Sequence, residues 1–237
     1  MIDKQALDEV FPNNPIKEVA FEIRFPHNLR VNRDICELQE ILANDYTELL
    51  YGQETSPIET VFTYHLISKK LGCTIKVSEN RFAIVSTKYT NFESFTKDTL
   101  NYTQEFCKIF HIKQITRVGL RYINNIFIPK IEGSFPIEKY VKPYINLDRV
   151  NSTDIKQFGV EILFPKNDCL FLSRSAFVIE PSKLNIGTYV LDLDAFFEEK
   201  SEYNQLSEIL KKLHLEIQIE FLDHVTEDYK QKMRGIK

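Results

Sequence analysis

Two short stretches carry charged residues whose spacing can do chemistry. Glu22 and Arg24 stand two apart in VAFEIRFP (19–26), and Arg117 and Arg121 stand four apart in RVGLRYINNIFI (117–128). Successive side chains of an extended chain point to opposite faces, so each pair lies on one side of its strand. If the two strands are neighbours, Glu22 and Arg24 come beside Arg117 and Arg121, and Gly119 leaves room on that face. Guanidiniums flanking a glycine can take a carboxylate or a phosphate through paired hydrogen bonds. The same residues also allow a structural outcome, an ion pair between Glu22 and Arg121 that compensates a mid-sheet arginine.

Other groups offer less. Asp192 and Asp194, followed by Glu198 and Glu199, have the oxygen chemistry of a Mg²⁺ site and would serve a metal-dependent hydrolase or phosphotransfer enzyme. They also fit a strand whose Leu191 and Leu193 face inward while the acids face water. The five histidines, His27, His65, His111, His214 and His224, show neither HExxH nor triad spacing. Glycine is scarce, seven residues in all, and no phosphate-cradling loop is present. The four cysteines, at 36, 73, 107 and 169, form no CxxC pair and read as free thiols of a reducing, cytoplasmic setting. No catalytic residue, metal or cofactor is assigned.

The elements that must position these residues follow from periodicity. Glu18–Phe25 and Arg117–Ile128 alternate apolar and polar positions, the pattern of strands with one buried face. Between them come a helix from Asn32 carrying Ile35, Leu38, Leu42, Tyr46 and Leu49, a loop at Tyr51–Pro57, and three strands at Glu59–Ile67, Cys73–Val77 and Arg81–Lys88. A helix from Asn91 then places Phe92, Phe95, Thr99, Tyr102, Phe106 and Ile109 on one stripe. After the central strand the order repeats. An irregular segment (129–151) precedes strands at Gln157–Phe164, Leu170–Ser173, Ala176–Ile179 and Gly187–Leu193. A helix near Ser201 follows, bearing Leu206, Ile209, Leu213, Ile217 and Phe221.

Val19–Ile23 aligns on Val118–Tyr122. The chain therefore reads as α+β: one domain of two β-α-β-β-β-α half-repeats (18–112 and 113–226), with an N-terminal arm (1–17) and a basic tail (227–237). The expected sheet is curved and mostly antiparallel with long helices on one face, by analogy with TATA-binding-protein-like or helix-grip folds. Such an analogy carries no function.

The net charge of −4 gives no global footprint for nucleic acid or anionic lipid. A nucleic-acid platform would have to be local: Lys108, Lys113, Arg117 and Arg121 with interleaved aromatics, extended by Lys230, Lys232, Arg234 and Lys237. No run approaches the ~18 apolar residues of a membrane-spanning helix, and the N-terminus lacks signal-peptide character.

The segments NPIKEVAFEIRF (14–25), ITRVGLRYINNI (115–126) and the stretch from LDLDAF to HVTEDYK (191–230) resemble a sporadically distributed, uncharacterised prokaryotic family. Its members carry an EVxFEIRF strand and an RxGLRYIN strand. The resemblance runs end to end and implies a bacterial or archaeal source with patchy, defence-linked occurrence. It marks Glu22, Arg24, Arg117, Arg121, Tyr122 and Asn124 as motif residues without assigning them roles. The reading that results is a non-enzymatic module in a regulatory or defence setting. It binds a small anion or a protein partner and is able to form a homodimer through a sheet edge. Nucleic-acid binding is the alternative.

Overall fold

The computed structural model describes residues 11–55, 60–147, 155–182 and 184–235. Four stretches of the expected layout lie outside them: residues 1–10 of the N-terminal arm, 56–59 (the end of the expected loop and the first residue of the expected strand at 59–67), 148–151 of the irregular segment, and 236–237 of the tail. The protein is α+β. Its strands are β1 (Ile16–Arg24), β2 (Glu48–Thr55), β3 (Thr60–Ser68), β4 (Cys73–Ser78), β5 (Arg81–Ser86), β6 (Arg117–Pro129), β7 (Gln157–Lys166), β8 (Cys169–Ile179) and β9 (Ile186–Phe197). They hydrogen-bond as an antiparallel sheet in the order β2-β3-β4-β5-β1-β6-β9-β8-β7. The helices are α1 (Arg30–Leu42), α2 (Phe92–Ile109), the single turn α3 (Ile137–Tyr140), α4 (Leu206–His224) and α5 (Glu227–Met233).

Two compact units divide this chain. One comprises residues 18–121 with 196–214; the other comprises the described residues up to Lys17 together with 122–195 and those from Leu215 onward.

In the first unit β2 to β5 form an antiparallel meander, and β1 pairs with β5 with Phe21 opposite Ile84 and Ile23 opposite Phe82. These pairs put Phe21, Ile23, Phe82, Ile84, Ile75 and Leu66 on one buried face. Helix α2 covers it. Asn91 caps α2 by accepting the Ser94 N–H at 2.8 Å, the arrangement that satisfies an orphan donor at a helix start. Phe106 then stacks on Phe82 at 4.4 Å and touches Phe110 at 4.8 Å. Helix α1 begins at Arg30. Asn28, not Asn32, serves its start, accepting from Arg30 N–H at 3.0 Å and donating to the Phe110 carbonyl at 2.8 Å.

In the second unit β7 pairs with β8, Phe158 opposite Phe177 and Phe164 opposite Phe171. Phe171, Phe177, Tyr189, Leu191 and Ile126 are fully buried there. Gly187 is needed at its position: a Cβ would come within 2.3 Å of the Phe177 ring.

Several elements differ from the sequence reading. Glu48–Thr55 is a strand, so Leu49 and Tyr51 belong to β2 rather than to a helix end and a loop. The first helix stops at Ala43, and the consecutive Leu-Leu-Tyr that follows suits a pleated edge. The first half is therefore β-α-β-β-β-β-α. The expected break within 170–179 is absent: β8 runs through it, with Ser173 and Ser175 facing inward. A 3-10 turn (Tyr203–Gln205) leads into α4. The tail expected after residue 226 opens with helix α5, whose Thr226 hydroxyl accepts from Tyr229 N–H at 3.3 Å.

Because Phe106 is fully buried among three other phenylalanines, Phe106→Ala is expected to lower unfolding free energy by about 3–5 kcal/mol in urea titrations. An effect near zero would mean that α2 does not seat on β5.

Candidate functional site

The open face of the first unit carries the charged residues. Along β1 the buried positions are Val19, Phe21 and Ile23, which turns Glu22 and Arg24 to the other side. Glu22 lies opposite Ala83 and Arg24 opposite Arg81 in the β1–β5 ladder. The small Ala83 leaves the Glu22 carboxylate space to spread across its neighbours. Glu22 accepts from Arg117 Nη1 at 2.7 Å and from Arg24 Nε at 2.9 Å, and Arg81 Nη1 stands 3.9 Å away.

Arg117 is the best buried of these arginines. Its side chain is 12% exposed, and its guanidinium lies over the Phe196 ring at 4.1 Å. It reaches that place by folding across Gly119, where a Cβ would meet Nη1 at 2.9 Å. The space Gly119 leaves on the face is thus taken up by Arg117 itself. The carboxylate, the aromatic face and the glycine together form a seat for one guanidinium.

The six motif residues do not share one site. Glu22, Arg24 and Arg117 converge as described, and Glu22 meets Arg117 where the sequence pointed to Arg121. Arg121 is half-buried on the same face of β6. Tyr122 and Asn124 alternate to the opposite face and are buried, and Asn124 donates its side-chain amide to the Leu191 carbonyl at 3.1 Å. Arg81 was missed by sequence reasoning; its signal was its place at the start of a strand, which fixes nothing until the register with β1 is known.

The acidic pair stands in a different environment. Asp192 is 6% exposed and sits 3.5 Å from Arg174 Nη1, while Arg174 Nε donates at 2.5 Å to Glu161, its cross-strand partner. Among the described residues no group of three or more His, Cys, Asp or Glu is arranged to hold a metal ion. The basic residues considered for nucleic acid stand in several settings; Lys237 lies outside the described residues. Lys108 lies on α2, which covers the buried face of the first unit, whereas Arg117 is on the open face. Lys230 is paired with Glu227 at 2.7 Å. Among the described residues no helix is long and apolar enough to cross a membrane.

A polar network fills the interior of the second unit. Glu220 accepts from Tyr144 and from Lys166, each at 2.5 Å. Tyr189 Oη and His224 Nε2 lie 2.7 Å apart, and the Tyr144 and His224 rings are 5.0 Å apart. His224 is 4% exposed, and burial pushes its pKa down to about 4. Burial likewise pushes Tyr189 up to about 12. The ring is therefore neutral at pH 7, and the tyrosines keep their protons. Burial raises the thiols of Cys107 to about 12 and Cys169 to about 11, and that of Cys73 as well, which removes thiolate nucleophiles at those positions.

No protein-family model matches the chain, and no curated protein matches it.

Two outcomes follow. Gly119→Ala is expected to cost about 1–3 kcal/mol by displacing Arg117. In an Arg117→Ala background that cost should fall close to zero, a coupling read from a double-mutant cycle in urea; equal costs in both backgrounds would show that Arg117 does not lie over Gly119. For His224, a folded pKa of about 4 lies below the ordinary value, roughly 6.5, of an unfolded histidine. The unfolded chain therefore takes up the proton first, and stability falls as pH drops from about 6.5 towards 4, by on the order of 3 kcal/mol for this group. His214, also lowered to about 4 by burial, acts in the same direction. His224→Gln should flatten the slope of unfolding free energy against pH between 7 and 5, and an unchanged slope would contradict the assignment.

Proposed function

We propose that this chain is a non-enzymatic binding module whose open sheet face takes an anionic group, a small carboxylate or phosphate or one borne by a protein partner. The observation that supports this reading is the Arg24–Arg81 cross-strand pair. Like charges directly opposite one another in a ladder destabilise it. Here the pair is kept, with Glu22 2.9 Å from one guanidinium and 3.9 Å from the other. Arg24 is 53% exposed and Arg81 25%, whereas Arg117 is largely covered. Arg117 and Gly119 position Glu22, Glu22 orients Arg24, and Arg24 presents its planar donor set to an arriving oxyanion beside the positive charge of Arg81.

The same reading places the protein in the prokaryotic regulatory or defence setting that its EVxFEIRF and RxGLRYIN segments suggest. It also favours an internally duplicated origin of the TATA-binding-protein-like or helix-grip kind. In each half the first strand is hydrogen-bonded beside the last strand of that half, β1 by β5 and β6 by β9.

The test is calorimetric titration with inorganic phosphate and with citrate at low salt. Binding is expected in the wild type and should weaken about tenfold or more in Arg24→Ala and in Arg81→Ala. Arg117→Ala should show both weaker binding and lower stability. Equal binding by wild type, Arg24→Ala and Arg81→Ala would remove the site. Binding of a single-stranded oligonucleotide with a steep inverse dependence on salt would instead establish the nucleic-acid reading.

A further inference from the structure

We infer that β2 is a dimerisation strand that pairs antiparallel with β2 of a second copy of this chain, centred on Leu50. The strand, ELLYGQET, ends the sheet order, and among the described residues it is paired on one side, with β3. Exposed sheet edges are ordinarily guarded by lysine, proline, a bulge or an inward charge, because their free N–H and C=O groups invite another strand. β2 contains neither lysine nor proline, and it is apolar where it is most accessible. Leu49 is 39% exposed, Leu50 58% and Tyr51 81%, and Phe62 on the adjoining strand is 51% exposed. The register Tyr51–Tyr64 and Gln53–Phe62 puts Leu49, Tyr51 and Phe62 on one face, with Leu50 on the other. Water thus meets apolar side chains on both faces of an unpaired edge. By contrast, β7 at the other end of the sheet order carries Pro165 and Lys166, guards of the usual kind.

The strand's own sequence is complementary to itself. An antiparallel pair related by a twofold axis at Leu50 sets Leu50 against Leu50 of the second copy, Leu49 against Tyr51, and Glu48 against Gly52. The three central positions make apolar cross-strand pairs on both faces, the kind that stabilises a ladder. Glu48 meets a residue with no side chain, so its carboxylate stays in water and keeps its 2.6 Å contact with Lys69. No like charges meet in these pairs. The contact is isologous and closes after two chains, so it yields a dimer rather than a fibre.

The experiment is size-exclusion chromatography with light scattering, run on the wild type and on Leu50→Lys, with far-UV circular dichroism to confirm folding. The wild type is expected at twice the 27.9 kDa of one chain, and Leu50→Lys at one chain's mass with an unchanged spectrum. The register is tested by oxidation of Leu50→Cys in a Cys36→Ser background, which removes the exposed native thiol. Residue 50 meets itself across the axis, so this variant should form a covalent dimer, whereas Gln53→Cys should not. A wild type of one-chain mass, a Leu50→Lys protein that remains dimeric, or cross-linking at residue 53 in place of residue 50 would each overturn the inference.

Discussion

A guanidinium that is 12% exposed on the face of a strand must have a counter-charge, a surface to lie against and a path to both. The first unit is arranged around meeting those needs for Arg117. Glu22 supplies the charge, Phe196 the surface, and Gly119 the path. The same requirement fixes where β1 must run, because Glu22 reaches Arg117 only when the two strands are side by side. The backbone bond from Thr116 N–H to the Arg24 carbonyl, at 2.7 Å, marks that alignment. Arg24 and Arg81 then inherit their placement from Glu22. Two more accessible guanidiniums thus rest on a covered one.

Much of this was legible in the chain. The alternation of Val19, Phe21 and Ile23, and of Val118, Leu120 and Tyr122, gave both strands and their buried sides. Asn91 and the stripe through Phe95 and Phe106 gave α2 to within a residue. The alternation also held a warning. Tyr122 and Asn124 fall on the even positions of β6, so they could not share a face with Arg117 and Arg121. What the sequence did not contain was register. Arg117 and Arg121 sit on one face, and only the alignment of β6 with β1 decides which of them meets Glu22. The partnership of Arg24 with Arg81 depends in the same way on pairing residues far apart in the chain. β2 was hidden for a local reason: its leucines continue the spacing of the helix before it, and no glycine or proline separates the two.

The second unit solves a different problem. Its interior contains serines, tyrosines, a glutamate, a lysine and a histidine, groups costly to bury unless they bond to one another. Tyr144, Lys166 and Glu220 do so, as do Tyr189 and His224. Such a network accepts few alternative packings, because each displaced group strands its neighbour. It makes the unit's interior sensitive to protonation, since burial holds the imidazole neutral and the Tyr189 phenol protonated at pH 7.

The position of β1 has a consequence in time. Its ladder partner β5 ends at Ser86, and its backbone also bonds at Thr116, so neither neighbour exists when β1 leaves the ribosome. At typical synthesis rates the strand waits roughly 5–20 s for them. The β2–β5 meander, whose pairings are local, can close in the interval, and β1 must then be drawn in as the late strand of its own unit. The charged face is completed later still, because Phe196, on which Arg117 lies, belongs to the 196–214 part of the same unit. Until β1 is drawn in, VAFEIRF, apolar at every second position, is a stretch of the nascent chain in need of protection.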